Sequence, residues 1–378
     1  MDPGGEGNGL AAARACYPAV ARRARVFYFN AWASRLEEAA NFYARVPAMD
    51  LASLVANPGD AELLKKARLD CDWYGENVRC FAAMTHPAIE FLPARVFGVK
   101  GVTDMLTAAT GRGPDEEWWV VFTGQVVQTL GPVAGKVCAL LRRQGVRIFC
   151  YAFDEASRTM ACFNDIAPNL DVLVHDESPL ADAGCARLRP DCVTIHRSWV
   201  ANVVPFTVPF NEAPEEKILF LGSQLGLTPH RQRQIDFLHE KFGERFVALH
   251  DHSVAVADRD GLSRFKVGLC PEGRKFATPA MARTHTDRPF WSGCLGLVPV
   301  SEDAAGGGRL DELHRAGLIL RYAHGDLKSL AAACEQALAL KNEARRKIYE
   351  HFNRHETVGT VVAEAIAAAQ AVRLAIAS

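Results

Sequence analysis

Hydrophobic and polar positions follow two different periods along this chain. Short apolar or aromatic runs, bounded by glycine, proline and charge, alternate with stretches whose apolar residues recur every three or four positions. Runs of the first kind read as buried parallel strands, because a sheet covered on both faces loses its in–out alternation. They fall at 26–32, 118–123, 146–153, 170–174 and 192–195, with a weaker one at 89–96 that Pro93 argues against. A second set falls at 217–221, 245–249, 265–270, 295–300 and 318–322. Between them lie helical stretches. A long one covers 35–84, broken at Pro47 and at Asn57-Pro58-Gly59. Pro132 opens another, with Val133, Val137, Leu140 and Leu141 on one face. A third begins near Thr228-Pro229, with Ile235, Leu238 and Phe242 on its apolar side. A fourth, carrying Leu327, Leu330, Cys334 and Leu338, is capped by Asp326. Two more close the chain. Strand–helix alternation of this kind predicts an α/β fold with doubly wound parallel sheets, and the length suits two Rossmann-like αβα domains. The proline-rich, acidic segment 204–216 reads as the linker between them.

Composition narrows the classes. The chain is 49% hydrophobic and 23% charged, with a net charge of −1, so no whole-protein field recruits nucleic acid or anionic membrane. Eleven cysteines are scattered without a C-x-x-C pair, several inside apolar runs, which fits free thiols in a reducing cytoplasm. No signal peptide is readable at the start. The Ala-rich end, 358–378, is interrupted by Glu364, Gln370 and Arg373 and reads as a packed helix rather than a membrane span.

Candidate chemistry concentrates in 265–303, FKVGLCPEGRKFATPAMARTHTDRPFWSGCLGLVPVSED. Two apolar runs flank a polar loop and a short helical turn starting at Asp287-Arg288-Pro289. Between Arg264 and Arg288 there are six Lys or Arg against two Asp or Glu, a local bias that suits a phosphate-bearing ligand. Ligands of doubly wound sheets sit beyond the carboxyl ends of the strands. The strand-end turn Leu221-Gly222-Ser223, followed by Arg231, could bring backbone N–H groups and a guanidinium to a phosphate. Arg231 and Arg233 cannot both face the same way on a helix, and Arg231 is the expected one.

The order apolar strand, Cys270-Pro271-Glu272-Gly273-Arg274, Arg288-x-Phe290, a turn with Gly296, Val298-Pro299-Val300 and Ser301-Glu302 resembles the C-terminal half of GT-B glycosyltransferases. It is most similar to the CgeB-like and glycosyl-transferase-1-like groups, and more faintly to exostosin-type enzymes. The likeness covers roughly 217–357, ending in His355-x-Thr357; the first half matches only as an α/β pattern. It implies a hexosyltransferase that moves a sugar from a nucleotide-diphosphate sugar, with UDP or GDP as the expected bases, to a glycan, protein or small-molecule acceptor. Donor-binding residues would be Gly222, Ser223, Arg231, Cys270, Glu272, Gly273, Arg274, Arg288, Phe290 and Glu302. Arg274 would neutralise the departing diphosphate. The implied domains are a tail 1–24, an acceptor-side domain 25–208, a donor domain 209–354 and a helix 355–378 returning to brace the first. Trp291 stands where many retaining members carry an acidic residue, which leaves the stereochemical outcome open.

On the acceptor side, Asp154, Glu155, His175, Asp176 and Glu177 follow strands of the first half, and His175 and Asp154 are the expected catalytic pair. Several other motifs fail on spacing. Gly131 to Lys136 is one residue short of a phosphate loop and is followed by Val137. Asp70-Cys71-Asp72 and Asp258-Arg259-Asp260 follow no convincing strand. His250-Asp251-His252 has no third ligand at useful spacing. No metal is therefore expected. Two other functions share this architecture, a sugar-nucleotide epimerase and a two-lobed ligand-binding protein, and fold alone does not separate them.

Overall fold

The computed structural model describes residues 17–29, 88–93, 113, 115–123, 134–152, 164–175, 187–197, 200–201, 203, 205–206, 208–222, 228–250, 259–271, 287–303 and 308–377. The apolar runs form two sheets. The first contains β1 (Arg23–Phe29), β2 (Ile89–Pro93), β3 (Glu116–Thr123), β4 (Arg147–Tyr151), β5 (Val172–Val174) and β6 (Val193–Ile195), in the order β2-β1-β3-β4-β5-β6. The second contains β7 (Glu215–Leu221), β8 (Phe246–Leu249), β9 (Phe265–Cys270), β10 (Val298–Glu302) and β11 (Leu320–Tyr322), in the order β11-β10-β9-β7-β8. Every pairing in both is parallel. Helices α1 (Ala134–Arg143), α2 (Pro229–Phe242), α3 (Arg288–Cys294), α4 (Arg309–Arg315), α5 (Leu327–Ala339), α6 (Asn342–His355) and α7 (Val358–Ala377) accompany them. The chain divides into two compact units, one holding β1–β6 and nearly all of α7, the other β7–β11 and α2–α6. This is the pair of Rossmann-like α/β units that the strand–helix alternation predicts.

The first sheet is organised on β3, where Trp119, Val120, Val121 and Phe122 are wholly buried. On one face, Trp118, Val120 and Phe122 pack with Ile148, Cys150 and the α1 residues Ala134, Cys138 and Leu141. The buried stripe of α1 thus differs from the one read in the sequence, since Leu140 is 36% exposed. The i, i+4, i+7 set Ala134–Cys138–Leu141 faces the core instead. Pro93 is accommodated because β2 is an edge strand, where a missing N–H leaves no ladder bond unmade. Arg25 holds the amino ends of three strands by bonding Glu90 at 2.8 Å and Glu116 at 2.9 Å.

Helix α7 returns to this unit. Val361, Val362, Ala365, Ile366 and Ala369 are buried. Its polar residues are used with equal specificity. Arg373 donates to both oxygens of Glu117 at 2.6 and 2.7 Å, and Gln370 donates to Glu117 at 3.0 Å. The Gln370 carbonyl accepts from the backbone of Ala21 and Arg22. Residues Val358–Ile376 are long and apolar enough to cross a membrane, at a mean hydropathy of 1.4, yet half of that stretch is buried in the protein.

In the second unit the winding reverses at β7: β8 lies on one side, and β9, β10 and β11 follow on the other. A crevice opens at the carboxyl edge wherever such a reversal occurs. The apolar run 295–300 is not one element. Leu295, Gly296 and Leu297 make the turn out of α3, with Gly296 at φ +81°, where a side chain would strain the backbone. The strand then continues through Ser301 and Glu302, both fully buried. The proline-rich segment is also more than a connector. Tyr349 of α6 donates its hydroxyl to Val208 at 2.7 Å, and Asn353 accepts from the Phe206 amide at 2.7 Å. Arg345 and Arg346 stack over the Phe210 ring.

Two consequences are measurable. A Cβ on Gly293 would lie 2.4 Å from the Phe352 ring, where α3 meets α6. Gly293→Ala should therefore lower the unfolding free energy by about 1–3 kcal/mol in urea denaturation, through overpacking. Burial pushes the thiols of Cys138 and Cys334 up to about 12. Both should resist alkylation at pH 8.5 in the native protein and react once it is unfolded.

Candidate functional site

The carboxyl edge of the second sheet gathers most of the described candidate residues. Strand β7 ends at Leu221-Gly222, β9 at Cys270-Pro271, β10 at Glu302 and β11 just before Ala323-His324. Helix α2 begins beside them. Thr228 caps it by accepting from the Arg231 amide at 3.2 Å, and Pro229 fills the first turn, where no N–H partner is needed.

Two guanidinium groups stand at the reversal point between β7 and β9. Arg231, only 7% exposed, reaches across to donate to the Pro271 carbonyl at 3.3 Å. Arg288, at the start of α3, donates through Nε to the Leu221 carbonyl at 3.0 Å. Both are thereby tethered to strand ends of the switch point by backbone carbonyls. Arg233 reaches instead to the Gly325 carbonyl at 3.4 Å, in the turn after β11.

Other expected donor residues have different surroundings. The Gly222 amide donates to Leu249 at 3.0 Å, and a Cβ there would meet the Phe220 ring at 2.6 Å. Its role in the structure is close packing of the turn. Cys270 is fully buried, with its sulfur near Gly268 O and Ser292 Oγ, between β9 and α3. Phe290 is also fully buried and meets Phe352 edge to face at 6.0 Å. Apolar runs and aromatic residues next to a site are hard to tell from the site by residue type alone. Ser223, Glu272, Gly273 and Arg274 lie outside the described residues, as does Asp154 of the acceptor side. His175 follows β5 as expected. It is 2% exposed, its amide donates to Ile195 at 2.9 Å, and its ring lies 4.2 Å from that of His196.

Glu302 is the most heavily bonded of the group. Its carboxylate is out of contact with solvent, and Oε1 alone meets His230 Nε2 at 2.7 Å, His324 Nδ1 at 2.8 Å, Gln234 Nε2 at 3.1 Å and the Gly325 amide at 3.3 Å. Gln234 is itself buried and accepts from the Tyr322 hydroxyl at 2.9 Å. The two histidine rings stack at 4.6 Å. Neither histidine stands out in the sequence. The available signal is positional: His230 sits in the first turn of a helix and His324 just after a strand, both on the ligand edge of a parallel sheet.

No protein-family model matches the chain, and no curated protein does. Among solved structures, the chain is similar to the apo form of the lipopolysaccharide outer core galactosyltransferase WaaB, at 10% identity and a TM-score of 0.40, over 93% of this chain and 99% of that one. It is similar to the spinosyn rhamnosyltransferase SpnG complexed with spinosyn aglycone, at 9% identity and a TM-score of 0.38, over 89% and 98%. The N-terminal domain of a Candida albicans trehalose-6-phosphate phosphatase aligns at 8% identity and a TM-score of 0.43, over 94% and 98%. At such scores these likenesses do not bear on the chemistry.

Removing the Tyr322 hydroxyl leaves the Gln234 carbonyl buried without that donor. Tyr322→Phe should cost about 1–3 kcal/mol of stability, read from thermal or urea unfolding.

Proposed function

We propose that this protein is a GT-B glycosyltransferase that moves a sugar from a nucleotide-diphosphate sugar to an acceptor hydroxyl. The observation that carries the reading is the pair of guanidinium groups, Arg231 and Arg288, tethered at the switch point of the second sheet. A diphosphate at a switch point needs positive charge with fixed geometry, and guanidinium groups supply planar, bidentate donors. The resemblance of 217–357 to GT-B donor domains supports the same assignment.

In this reading the donor domain, 209–354, holds the nucleotide diphosphate, with UDP or GDP as the base. Arg274 in the loop after Cys270 adds charge toward the leaving group. The bond from the anomeric carbon to the diphosphate oxygen breaks as the acceptor oxygen bonds that carbon, and the nucleoside diphosphate leaves with its charge met by the arginines. On the acceptor side, His175 or Asp154 takes the acceptor proton. The protein works in the cytoplasm on a glycan, protein or small-molecule acceptor, as a hexosyltransferase.

A thermal-shift and calorimetry screen against UDP, GDP, ADP, CMP and their common sugar conjugates tests the donor half directly. One diphosphate family should raise the melting temperature. Arg288→Ala should weaken that nucleotide about 10- to 100-fold, the equivalent of losing about 1.5–3 kcal/mol of charge-assisted hydrogen bonding. Arg288→Lys should restore only part of it, because the planar fork is lost. No response to any nucleotide, or binding undiminished from that of the unsubstituted protein in both Arg288→Ala and Arg274→Ala, sinks the assignment.

A further inference from the structure

Two ring nitrogens, a side-chain amide and a backbone amide crowd onto one oxygen of Glu302. The Gln234 amide lies with its nitrogen toward Glu302 Oε1 at 3.1 Å and toward His230 Nε2 at 2.9 Å, while its oxygen accepts from Tyr322. Turning the amide over would set its oxygen against a carboxylate oxygen, so this orientation is the favoured one. If Gln234 donates to His230 Nε2, that nitrogen presents a lone pair. It also stands 2.7 Å from Glu302 Oε1, which presents another. If Nε2 carries a proton for Glu302 instead, its N–H and that of Gln234 converge on the same oxygen and the two donor nitrogens are crowded to 2.9 Å. The first arrangement sets two lone pairs together and the second packs two donors side by side, in a pocket where Glu302 is fully buried and Gln234 nearly so.

We propose that His230, Glu302 and His324 bind a divalent transition-metal ion of the zinc class. Nε2 of His230, Nδ1 of His324 and an oxygen of Glu302 lie within 4.8 Å of one another. Ligands about 2.0–2.1 Å from a tetrahedral ion stand about 3.3 Å apart, so His–Glu spacings of 2.7 and 2.8 Å need to open by only about half an ångström. A cation that takes the lone pairs of Nε2 and Oε1 relieves this crowding and leaves Gln234 to the carboxylate. Two imidazoles and one carboxylate are a donor set suited to zinc and its first-row neighbours rather than to magnesium or calcium, which take oxygen ligands.

The supporting layer is also present. A ligating carboxylate is held in place by hydrogen bonds behind it, and here the Tyr322–Gln234–Glu302 chain and the Gly325 amide do so. The His324 side chain is 45% exposed and that of His230 24%, which gives an ion a route in from solvent. Three protein ligands leave a fourth position for water or for an oxygen of a bound molecule. The site differs from the His250-Asp251-His252 and Asp-x-Asp motifs of the sequence, and it does not depend on the glycosyltransferase reading.

The test uses the full chain, stripped with chelator, and metal salts alone. Titration with Zn2+ should show one equivalent bound, with a rise in melting temperature that chelator reverses. Co2+ should give the visible absorption of a four-coordinate ion with nitrogen ligands. His324→Ala, at a half-exposed position, should fold with the melting temperature of the metal-free protein and bind Zn2+ more than about 100-fold more weakly. His230→Ala should behave alike. If His324→Ala fails to fold, His324→Gln replaces it, with the same expected loss. Absence of one-to-one binding by Zn2+, Co2+, Ni2+ or Mn2+ at micromolar concentrations overturns the proposal, as does undiminished binding in both histidine variants. The nucleotide screen reads the other assignment separately: a chain that binds metal but no nucleotide keeps this site and loses that function.

Discussion

A carboxylate removed from water must be surrounded by donors or by positive charge, and Glu302 is the place where this protein meets that demand. Its strand, β10, runs between β9 and β11, so the acid is fixed by the sheet rather than by a loop. Among the described residues, its partners come from other elements: His230 and Gln234 from the first turns of α2, the latter held by Tyr322 of β11, and His324 and Gly325 from the turn that follows. The start of α2 is thereby tied to the middle of the sheet, and the position of Arg231 on that helix is set with it. Substituting the acid would loosen the edge on which the proposed donor site is built, which is why its own chemistry and its structural role are hard to separate by mutation of Glu302 alone.

The two units share one winding scheme. Each begins with a strand that receives its successor on one side and the rest of the sheet on the other. This shared order explains why ligand-type residues recur at strand ends in both halves, at His175 in the first and at Leu221-Gly222, Pro271 and Glu302 in the second. It does not explain chemistry. The carboxyl edge of the second sheet carries arginine, histidine and a buried acid, whereas the described part of the first unit offers a buried histidine, His175, lying against an exposed one, His196, after β5 and β6.

Strands were the most legible elements, because a buried parallel strand needs only a run of apolar residues between breaks; Phe265–Cys270 stands in the structure with the bounds read from the sequence. Misreadings came where one residue type serves two purposes. Leu295 and Leu297 extend an apolar run that belongs partly to a helix end, and only the φ of Gly296 divides it. Leu140 fits an apolar stripe by spacing but lies on the outer side of α1, because Ala134 and Cys138 are small enough to let the helix approach β3 and β4 along their own face. Cys270 and Phe290 belong to a motif that resembles a donor site, yet both face the core. The histidines around Glu302 were invisible for a different reason: they come from residues 230 and 324, brought together by the order of strands, and no local spacing encodes that.

The course of the chain has a consequence for how the protein is made. Glu117 is laid down early, in a central strand of the first sheet, but its hydrogen-bond partner Gln370 and the cation that neutralises it, Arg373, lie 253 and 256 residues further along the chain. On a ribosome, domains generally fold in the order in which they emerge. Here the second unit can complete its core from contiguous sequence while the first still waits with an unneutralised acid and an uncovered face of β3. The half that is translated first is therefore the half that finishes last.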